Sequence, residues 1–297
     1  MPDQGYQVTD LPPMPQVVSK IIQIDENNIT LSSDQLQSLI AVDPALTSKI
    51  LRIANSAFYA RYRKVANLSE AVTLLGFKTI KSLTLLVSTS GLFKKTSKNI
   101  FVLKELWMRS VLTALIGKIV AEKTGHNALK DEVFMAGLLK NIGQLFMQNK
   151  YPEQYGILFK SCSYGSDIAA LLELEQREFR ITSPEVSAMA MQQWNFPDTL
   201  VHVSRFRFDQ MDIIKEQKDL WPLVVPVLIG EIIVLYTDFT GHSKMTDEKK
   251  EKIKLLFYEY ANMIQMKKMT QEYFLDGLQE TIHQDEFYSF CEELFLM

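Results

Sequence analysis

Apolar residues recur along this chain at spacings of three and four, which is the period of an amphipathic α-helix. In the first hundred residues the pattern predicts helices that begin after Pro15, cover 34–42, run from Pro44 to about Ser56, cover 68–76, and begin again near Thr79. No segment alternates apolar and polar residues strongly enough to indicate a strand. The chain is therefore predicted to be all-α.

The longest helix predicted downstream covers about 100–123 and presents Trp107, Val111 and Leu115 on one face. A second long helix is expected at about 131–148. Others are predicted over 168–179, from 183, from 198 toward 207, and after the Lys- and Glu-rich segment 247–254. Together these helices predict a multi-helix bundle.

The helix expected at 131–148 contains two glycines, Gly137 and Gly143, on either side of a polar pair, Lys140 and Asn141. A glycine inside a helix costs about 1 kcal/mol relative to alanine, so both positions suggest that another backbone or a ligand comes close. On a regular helical wheel Lys140 lies opposite the apolar face. That position predicts a solvent-exposed lysine.

Two helix starts can be predicted from their residues. Asp43 is a good N-cap before Pro44, because its carboxylate can accept a hydrogen bond from the backbone N–H of Leu46. Proline suits the first helical position because it lacks the N–H that would have no partner there. Ser183 before Pro184 has the same pattern, so it is also expected to be an N-cap.

The polar segment 94–99 separates two apolar helices and predicts a boundary between helical layers. We expect an N-terminal helical subdomain at 10–95, packed on a helical core at 100–210, with a C-terminal helical extension at 211–297. The last dozen residues predict an amphipathic helix with three phenylalanines. Whether its apolar face packs on the same chain or forms a dimer or partner surface stays open.

Composition narrows the picture further. The 297 residues are 47% hydrophobic with a net charge of −3, so there is ample core and no global basic field for nucleic acid. Cys162 and Cys291 have no metal-binding spacing and are expected to be free thiols. The longest apolar run, 223–236, contains Pro226 and Gly230 and is expected to be too short to span a bilayer. With no signal-like N-terminus, the protein is expected to be cytoplasmic and not membrane-bound.

Several blocks of sequence, in order, resemble the HDOD family, the HD-related output domain. They are Leu11-Pro12-Pro13-Met14-Pro15, the run from Asp43 to Ala57, Ala71-Val72-Thr73-Leu74-Leu75-Gly76, Leu106-Trp107-Met108-Arg109-Ser110, the run from Gly137 to Gly143, and Trp194-Asn195-Phe196-Pro197. The resemblance covers about residues 10–210, with Asp43, Asn55 and Ser56 as motif positions. It implies an all-helical fold, an HD-like core and a bacterial signalling role without established catalysis.

The same stretch around Gly137 resembles the central helix of the HD phosphohydrolase superfamily, in which a His-Asp pair supplies two metal ligands. Here that pair is Lys140 and Asn141, and an ammonium has no lone pair to offer a metal. The other ligand positions implied by the resemblance carry Arg109 and Ser183. No His occurs at 205–208, where the resemblance implies a His pair, and the nearby His202 is misplaced. No catalytic residue, metal site or cofactor is therefore expected.

If the family fold holds, the cations Arg109, Lys140 and one of Arg205 or Arg207 would converge, with Asn141 beside them, and could bind an anion such as a nucleotide phosphate. The alternative is that Lys140 is simply solvated.

Two functions are open. The first is a noncatalytic regulatory module that binds signalling proteins, such as components of cyclic-nucleotide signalling, or a small ligand, with a homodimer also open. The second is a degenerate HD-type metal-dependent phosphohydrolase or nucleotide phosphodiesterase.

Overall fold

The computed structural model describes residues 6–24, 29–55, 64–93, 100–162, 165–238 and 245–277. Throughout these ranges the chain forms α-helices and short helical turns, with no strand, so the prediction of an all-α protein is confirmed. The helices divide into two compact units. One contains residues 12–93, and the other contains residues 6–11 together with 100–277.

The unit at 12–93 contains five helices in the part that the structure describes. They are α1 (Gln16–Ile22), α2 (Ile29–Ala41), α3 (Pro44–Ala54), α4 (Leu68–Leu75) and α5 (Phe77–Ser90). Helix α5 begins two residues earlier than expected, because Gly76 takes a positive φ of 85° and reverses the chain directly between α4 and α5.

The start of α3 follows the sequence prediction. The Asp43 carboxylate accepts hydrogen bonds from the backbone N–H groups of Ala45, at 2.9 Å, and Leu46, at 3.1 Å. Pro44 occupies the first helical position. The predicted apolar face is buried, with Ile50 and Ala54 fully inaccessible.

The larger unit is built around α6 (Ile100–Lys123), whose bounds match the prediction. The helices that follow are α7 (Lys130–Leu139), α8 (Ile142–Lys150), α9 (Pro152–Ser161), α10 (Ile168–Phe179), α11 (Ser183–Gln193), α12 (Asp198–Arg205), α13 (Met211–Glu216), α14 (Trp221–Thr237), α15 (Asp247–Met263) and α16 (Lys268–Glu272). Helix α6 is buried on nearly all sides, because α7 and α14 both pack along it. An all-round apolar helix is what such a central position requires.

Glycines allow these helices to touch backbone to backbone. A Cβ at Gly137 of α7 would lie 2.8 Å from the Cα of Ala114 in α6, and one at Gly230 of α14 would lie 2.6 Å from the Thr113 carbonyl oxygen. Gly143 of α8 is tighter still, since a Cβ there would lie 2.0 Å from the Ser183 carbonyl oxygen. The close approach expected at Gly137 and Gly143 is confirmed.

The single helix expected at 131–148 is wrong. It breaks at Asn141, whose φ of −100° and ψ of 18° interrupt the helix between α7 and α8. Local periodicity continues across the break, but tertiary packing redirects the chain. The Gly143 N–H donates to the Ser187 hydroxyl at 2.8 Å, which holds the start of α8 against α11.

The apolar run at 223–236 and the two cysteines can also be compared with their predictions. The apolar run that was expected to be broken and too short forms one continuous helix, α14, with Pro226 inside it. Together with the preceding turn it is long and apolar enough to cross a membrane, yet 78% of its most apolar window is buried within the fold, as in a core helix. Cys162 is a buried free thiol, whereas Cys291 and the predicted C-terminal helix lie outside the described residues.

We predict that Gly137→Ala destabilises the protein by about 1–3 kcal/mol, since the methyl group would overlap the α6 backbone, which cannot move aside like a flexible side chain. Gly156→Ala is the matched control. It is also a helical glycine, but its nearest neighbour to an added Cβ is 3.6 Å away. Chemical denaturation should show loss for the first variant and equal or higher stability for the second. Equal losses would contradict the close contact.

A second prediction concerns the cap of α3. Asp43→Ala should lower the free energy of unfolding by about 1 kcal/mol, while Asp43→Asn should be nearly neutral because an amide oxygen accepts the same bonds. Urea titration of both variants tests this. If the Asn variant keeps its stability but loses signalling in the host, Asp43 has a contact role in addition to the cap.

Candidate functional site

The polar pair Lys140 and Asn141 lies at the break between α7 and α8 and faces a single carboxylate from α14. Lys140 Nζ is 3.0 Å from Glu231 Oε1, and Asn141 Nδ2 donates to the same oxygen at 2.8 Å. Lys140 is only 4% exposed. The prediction of a solvent-exposed lysine is therefore wrong, because the wheel assumed a regular helix where the chain in fact turns.

Glu231 is the only charged residue of α14. A buried carboxylate without a partner costs several kcal/mol, so it must be paired or bound to hydrogen-bond donors. Gly230, immediately before it, brings α14 against α6 and so fixes how far Glu231 stands from the α7–α8 break. The ion pair and the glycine contact belong to the same packing arrangement.

Arg109 of α6 stands where the HD resemblance implies a metal-binding histidine. Its Nε donates to Glu105 Oε1 at 2.8 Å, and its guanidinium lies 5.6 Å from the centre of the Phe159 ring. Arg109 is 13% exposed and Glu105 3% exposed. The charge of Arg109 is therefore already balanced by a buried carboxylate one helical turn away.

Arg109, Asn141 and Glu231 line one cavity of about 50 Å³, together with Gln144 and with apolar walls from α9, α10 and α14. That volume holds a few water molecules but is far below that of a typical nucleotide pocket. An anion entering it would have to displace Glu105 or Glu231 from the cations.

The other two arginines that were expected to converge lie elsewhere. Arg205 is exposed at the last position of α12. Arg207 pairs with Asp209, with 2.8 Å between Nε and Oδ1. Neither is among the residues that line the cavity in the described part of the chain. The structure thus brings together Arg109, Lys140 and Asn141, but not Arg205 or Arg207.

Among the family-motif positions, Asn55 forms two hydrogen bonds with the backbone of Val65. Its Nδ2 donates to the Val65 carbonyl oxygen at 2.8 Å, and its Oδ1 accepts the Val65 N–H at 2.7 Å. This pair of bonds copies a backbone pairing and joins the end of α3 to the approach to α4. Asp43 caps α3, and Ser56 lies outside the described residues.

Sequence reasoning missed the buried carboxyl of Glu175. Tyr155 donates its hydroxyl to Glu175 Oε1 at 2.7 Å, and the Ser183 N–H donates to Oε2 at 2.6 Å. Burial raises the pKa of Glu175 to about 7, although both hydrogen bonds oppose that rise. One sequence signal was available, since Glu175 falls on the apolar stripe of α10 between Leu171 and Phe179.

Ser183 is not the N-cap of α11. Thr182 is, in a capping box where Glu185 Oε2 accepts the Thr182 N–H at 2.7 Å. Ser183 is instead the first residue of the helix and is buried against Glu175. The prediction of a structural role near this start holds, but the capping residue is one position earlier.

Within the ranges that the structure covers, no group of three or more His, Cys, Asp or Glu side chains is placed to hold a metal ion. The positions at which the HD resemblance implies metal ligands carry Arg109, Lys140, Asn141 and Ser183, and each of these residues donates to a carboxylate of the fold. An ammonium or guanidinium cannot serve as a ligand, because neither has a free lone pair.

The family model of the HDOD domain matches residues 11–209, which is more than half of the chain. The chain therefore belongs to the HDOD family.

Known proteins agree with this assignment. The structure is similar to an HDOD domain protein of unknown function from Geobacter sulfurreducens, with a TM-score of 0.76 and 22% identity over 99% of this chain and 95% of that one. It is also similar to a candidate phosphohydrolase from Shewanella amazonensis SB2B, with a TM-score of 0.70 and 21% identity over 97% and 96%. At these identities the likeness shows the shared fold alone.

A curated relative, an uncharacterized protein from Treponema pallidum (strain Nichols), is 25% identical over 232 residues. The match covers 78% of this chain but only 44% of the relative. The chain thus spans less than half the length of this relative.

The Glu175 pKa gives a pH prediction. Because the folded value of about 7 lies above the ordinary 4.5, the folded state binds the extra proton between these values. The resulting stability is fully present below about pH 4.5 and is lost as pH rises through 7. The free energy of unfolding should fall by up to about 3 kcal/mol over this range.

Glu175→Gln cannot titrate and isolates this contribution. Unfolding free energies of wild type and variant, measured from pH 4.5 to 8, should diverge in favour of the variant as pH rises. Parallel pH profiles would show that Glu175 is ionised throughout.

Proposed function

We propose that this chain is a noncatalytic signalling module of the HDOD family, which acts by binding partner proteins or a small regulatory ligand. The observation that carries the proposal is the buried contact of Lys140 and Asn141 with Glu231. It lies where the HD resemblance implies a metal-binding pair. The chain's own ammonium supplies the positive charge at this place, and Glu231 is its counter-ion.

The chemistry of the site supports binding over hydrolysis. Metal-dependent hydrolysis needs an ion that polarises the phosphoryl group and activates water, held by imidazole and carboxylate ligands with an open position. Here the two cations are fixed by Glu105 and Glu231, and the remaining cavity has room for a few waters.

Partners follow from this proposal. We place the chain in bacterial signal transduction, in the cytoplasm, with signalling proteins as partners, including components of cyclic-nucleotide signalling. A nucleotide is not the ligand that we propose for this cavity, because it needs several times the volume.

The alternative is a degenerate HD-type phosphohydrolase or nucleotide phosphodiesterase. The observation in its favour is the likeness of the fold to the candidate phosphohydrolase from Shewanella amazonensis. Elemental analysis of the purified protein separates the two, together with assays on phosphomonoesters and cyclic dinucleotides. We expect no stoichiometric iron, manganese or zinc and no turnover. Stoichiometric metal with metal-dependent hydrolysis would establish the enzyme instead.

The central ion pair gives a further prediction. Lys140→Met should destabilise the protein by about 3–5 kcal/mol, because Glu231 would be left as a buried charge without its counter-ion. Lys140→Met/Glu231→Gln should recover most of that loss, since the amide is neutral and its oxygen can still accept from Asn141.

A double-mutant cycle by chemical denaturation measures this coupling, with Glu231→Gln alone as the fourth corner. A Lys140→Met variant within about 0.5 kcal/mol of wild type would mean that the lysine is solvated and that the pair is not a structural centre.

A further inference from the structure

The larger unit includes a short segment from the beginning of the chain. Residues 6–11, which we call the N-terminal strap, belong to this unit, whereas residues 12–93 form the other. The strap contains one turn of 3₁₀ helix, Val8–Asp10. Tyr6 and Leu11 at its two ends are each only 6% exposed, whereas Val8 between them is exposed. The strap is therefore anchored at its ends.

The strap is seated on three side chains of the larger unit, Lys150, Tyr151 and Phe179, which we call the Lys150 receptor. Lys150 Nζ lies 5.1 Å from the ring centre of Tyr6 and also 5.1 Å from that of Tyr151. Tyr6 meets Tyr151 edge to face at 6.4 Å, and Tyr151 stacks on Phe179 at 4.7 Å. Lys150 also pairs with the carboxylate of Asp10.

Two features of the strap match this receptor. Its turn brings Tyr6 and Asp10, four residues apart, to the same lysine, so that one ammonium meets both a ring face and a carboxylate. Burial lowers the pKa of Lys150, but its contacts with the Asp10 carboxylate and with Tyr151 outweigh this and raise it. The lysine therefore stays charged at neutral pH.

The strap is held by contacts that another segment could copy. Its backbone hydrogen bonds from Asp10 N to Gln7 O and from Leu11 N to Val8 O close within the strap itself. The ion pair is partly solvated, with Lys150 31% and Asp10 24% exposed, and exposed pairs are weak. The Lys150 receptor therefore recognises the side chains of Tyr6 and Asp10 more than the backbone of the strap.

We propose that the Lys150 receptor is a binding site for an exposed segment of a partner protein that carries an aromatic residue and, four residues later, a carboxylate. The N-terminal strap fills this site as an internal ligand and must leave before the partner binds. This inference rests on the proposed protein-binding function and names one site for it.

The test uses the full chain and a fluorescein-labelled peptide with the sequence of residues 4–13. Tyr6→Ala/Asp10→Asn releases the strap and leaves the receptor itself unchanged. Fluorescence anisotropy should show the peptide binding this variant about tenfold or more tightly than it binds wild type, where the strap competes. Adding Lys150→Met should abolish binding, and so should the same two substitutions made in the peptide.

Circular dichroism checks that each variant folds. If the double variant does not fold, Asp10→Asn alone replaces it, and we expect its affinity for the peptide to lie between those of wild type and a fully released strap. Equal affinity for wild type and the released variant, or binding that survives Lys150→Met, would overturn the proposal. A wild-type dimer that dissociates on strap release, measured by light scattering, would assign the receptor to a second copy and overturn the partner assignment. The binding measurement involves no metal and no substrate. If it fails, the Lys150 receptor is ruled out as the binding site, but the noncatalytic function is not, because metal analysis and activity assays test that function separately.

Discussion

The arrangement of the larger unit depends on three backbones lying in direct contact, those of α6, α7 and α14. Gly137 and Gly230 make this possible, because any side chain at either position would occupy space that the α6 backbone already fills. The contact sets the distance between α14 and the end of α7. A 3.0 Å bond between Lys140 and Glu231 exists only because the helices that carry them are held this close. Packing and electrostatics therefore depend on each other. The backbone contact positions Lys140 and Glu231, and the pairing of the two charges offsets the cost of burying them.

The site that results is electrically self-contained. Arg109 and Lys140 each meet a carboxylate of the same unit. Asn141 donates a second hydrogen bond to the same Glu231 oxygen, Oε1, whereas the buried Oε2 accepts none in the described part of the chain. A metal centre concentrates ligands with free lone pairs around open space, whereas Arg109, Lys140 and Asn141 present donors that are already paired with carboxylates. In a low-dielectric interior such a network favours one fixed arrangement and resists the entry of a further charge. The centre of this HD-like fold thus contains an internal ion pair between Lys140 and Glu231.

An aromatic row connects two other features of the unit. Tyr6 contacts Tyr151, Tyr151 stacks on Phe179, and Phe179 lies 6.2 Å from Tyr155, which donates its hydroxyl to Glu175. The partly exposed Lys150 receptor and the fully buried carboxyl of Glu175 are thus joined by one continuous row of packed aromatic rings. Burial explains their different character. Lys150 is only partly buried, and its contacts with Asp10 and Tyr151 raise its pKa, so it stays a charged binding group. Glu175 is so completely enclosed that its ionisation opposes folding.

Local chemistry in the sequence determined the helical class, the bounds of α6, the cap at Asp43 and the need for close contact at Gly137 and Gly143. The first three depend on neighbours within one or two turns of the chain, so spacing and residue type are enough to predict them. A glycine inside a helix indicates by its type that something comes close, but Ala114 and Ser183, which do come close, are distant in sequence. The tertiary structure decided the break at Asn141, the burial of Lys140 and Glu175, and the separation of Arg205 and Arg207 from the other cations. Lys140 shows the reason most plainly. Its wheel position indicates solvent, but its environment is set by a carboxylate ninety-one residues away, and no local pattern contains that contact.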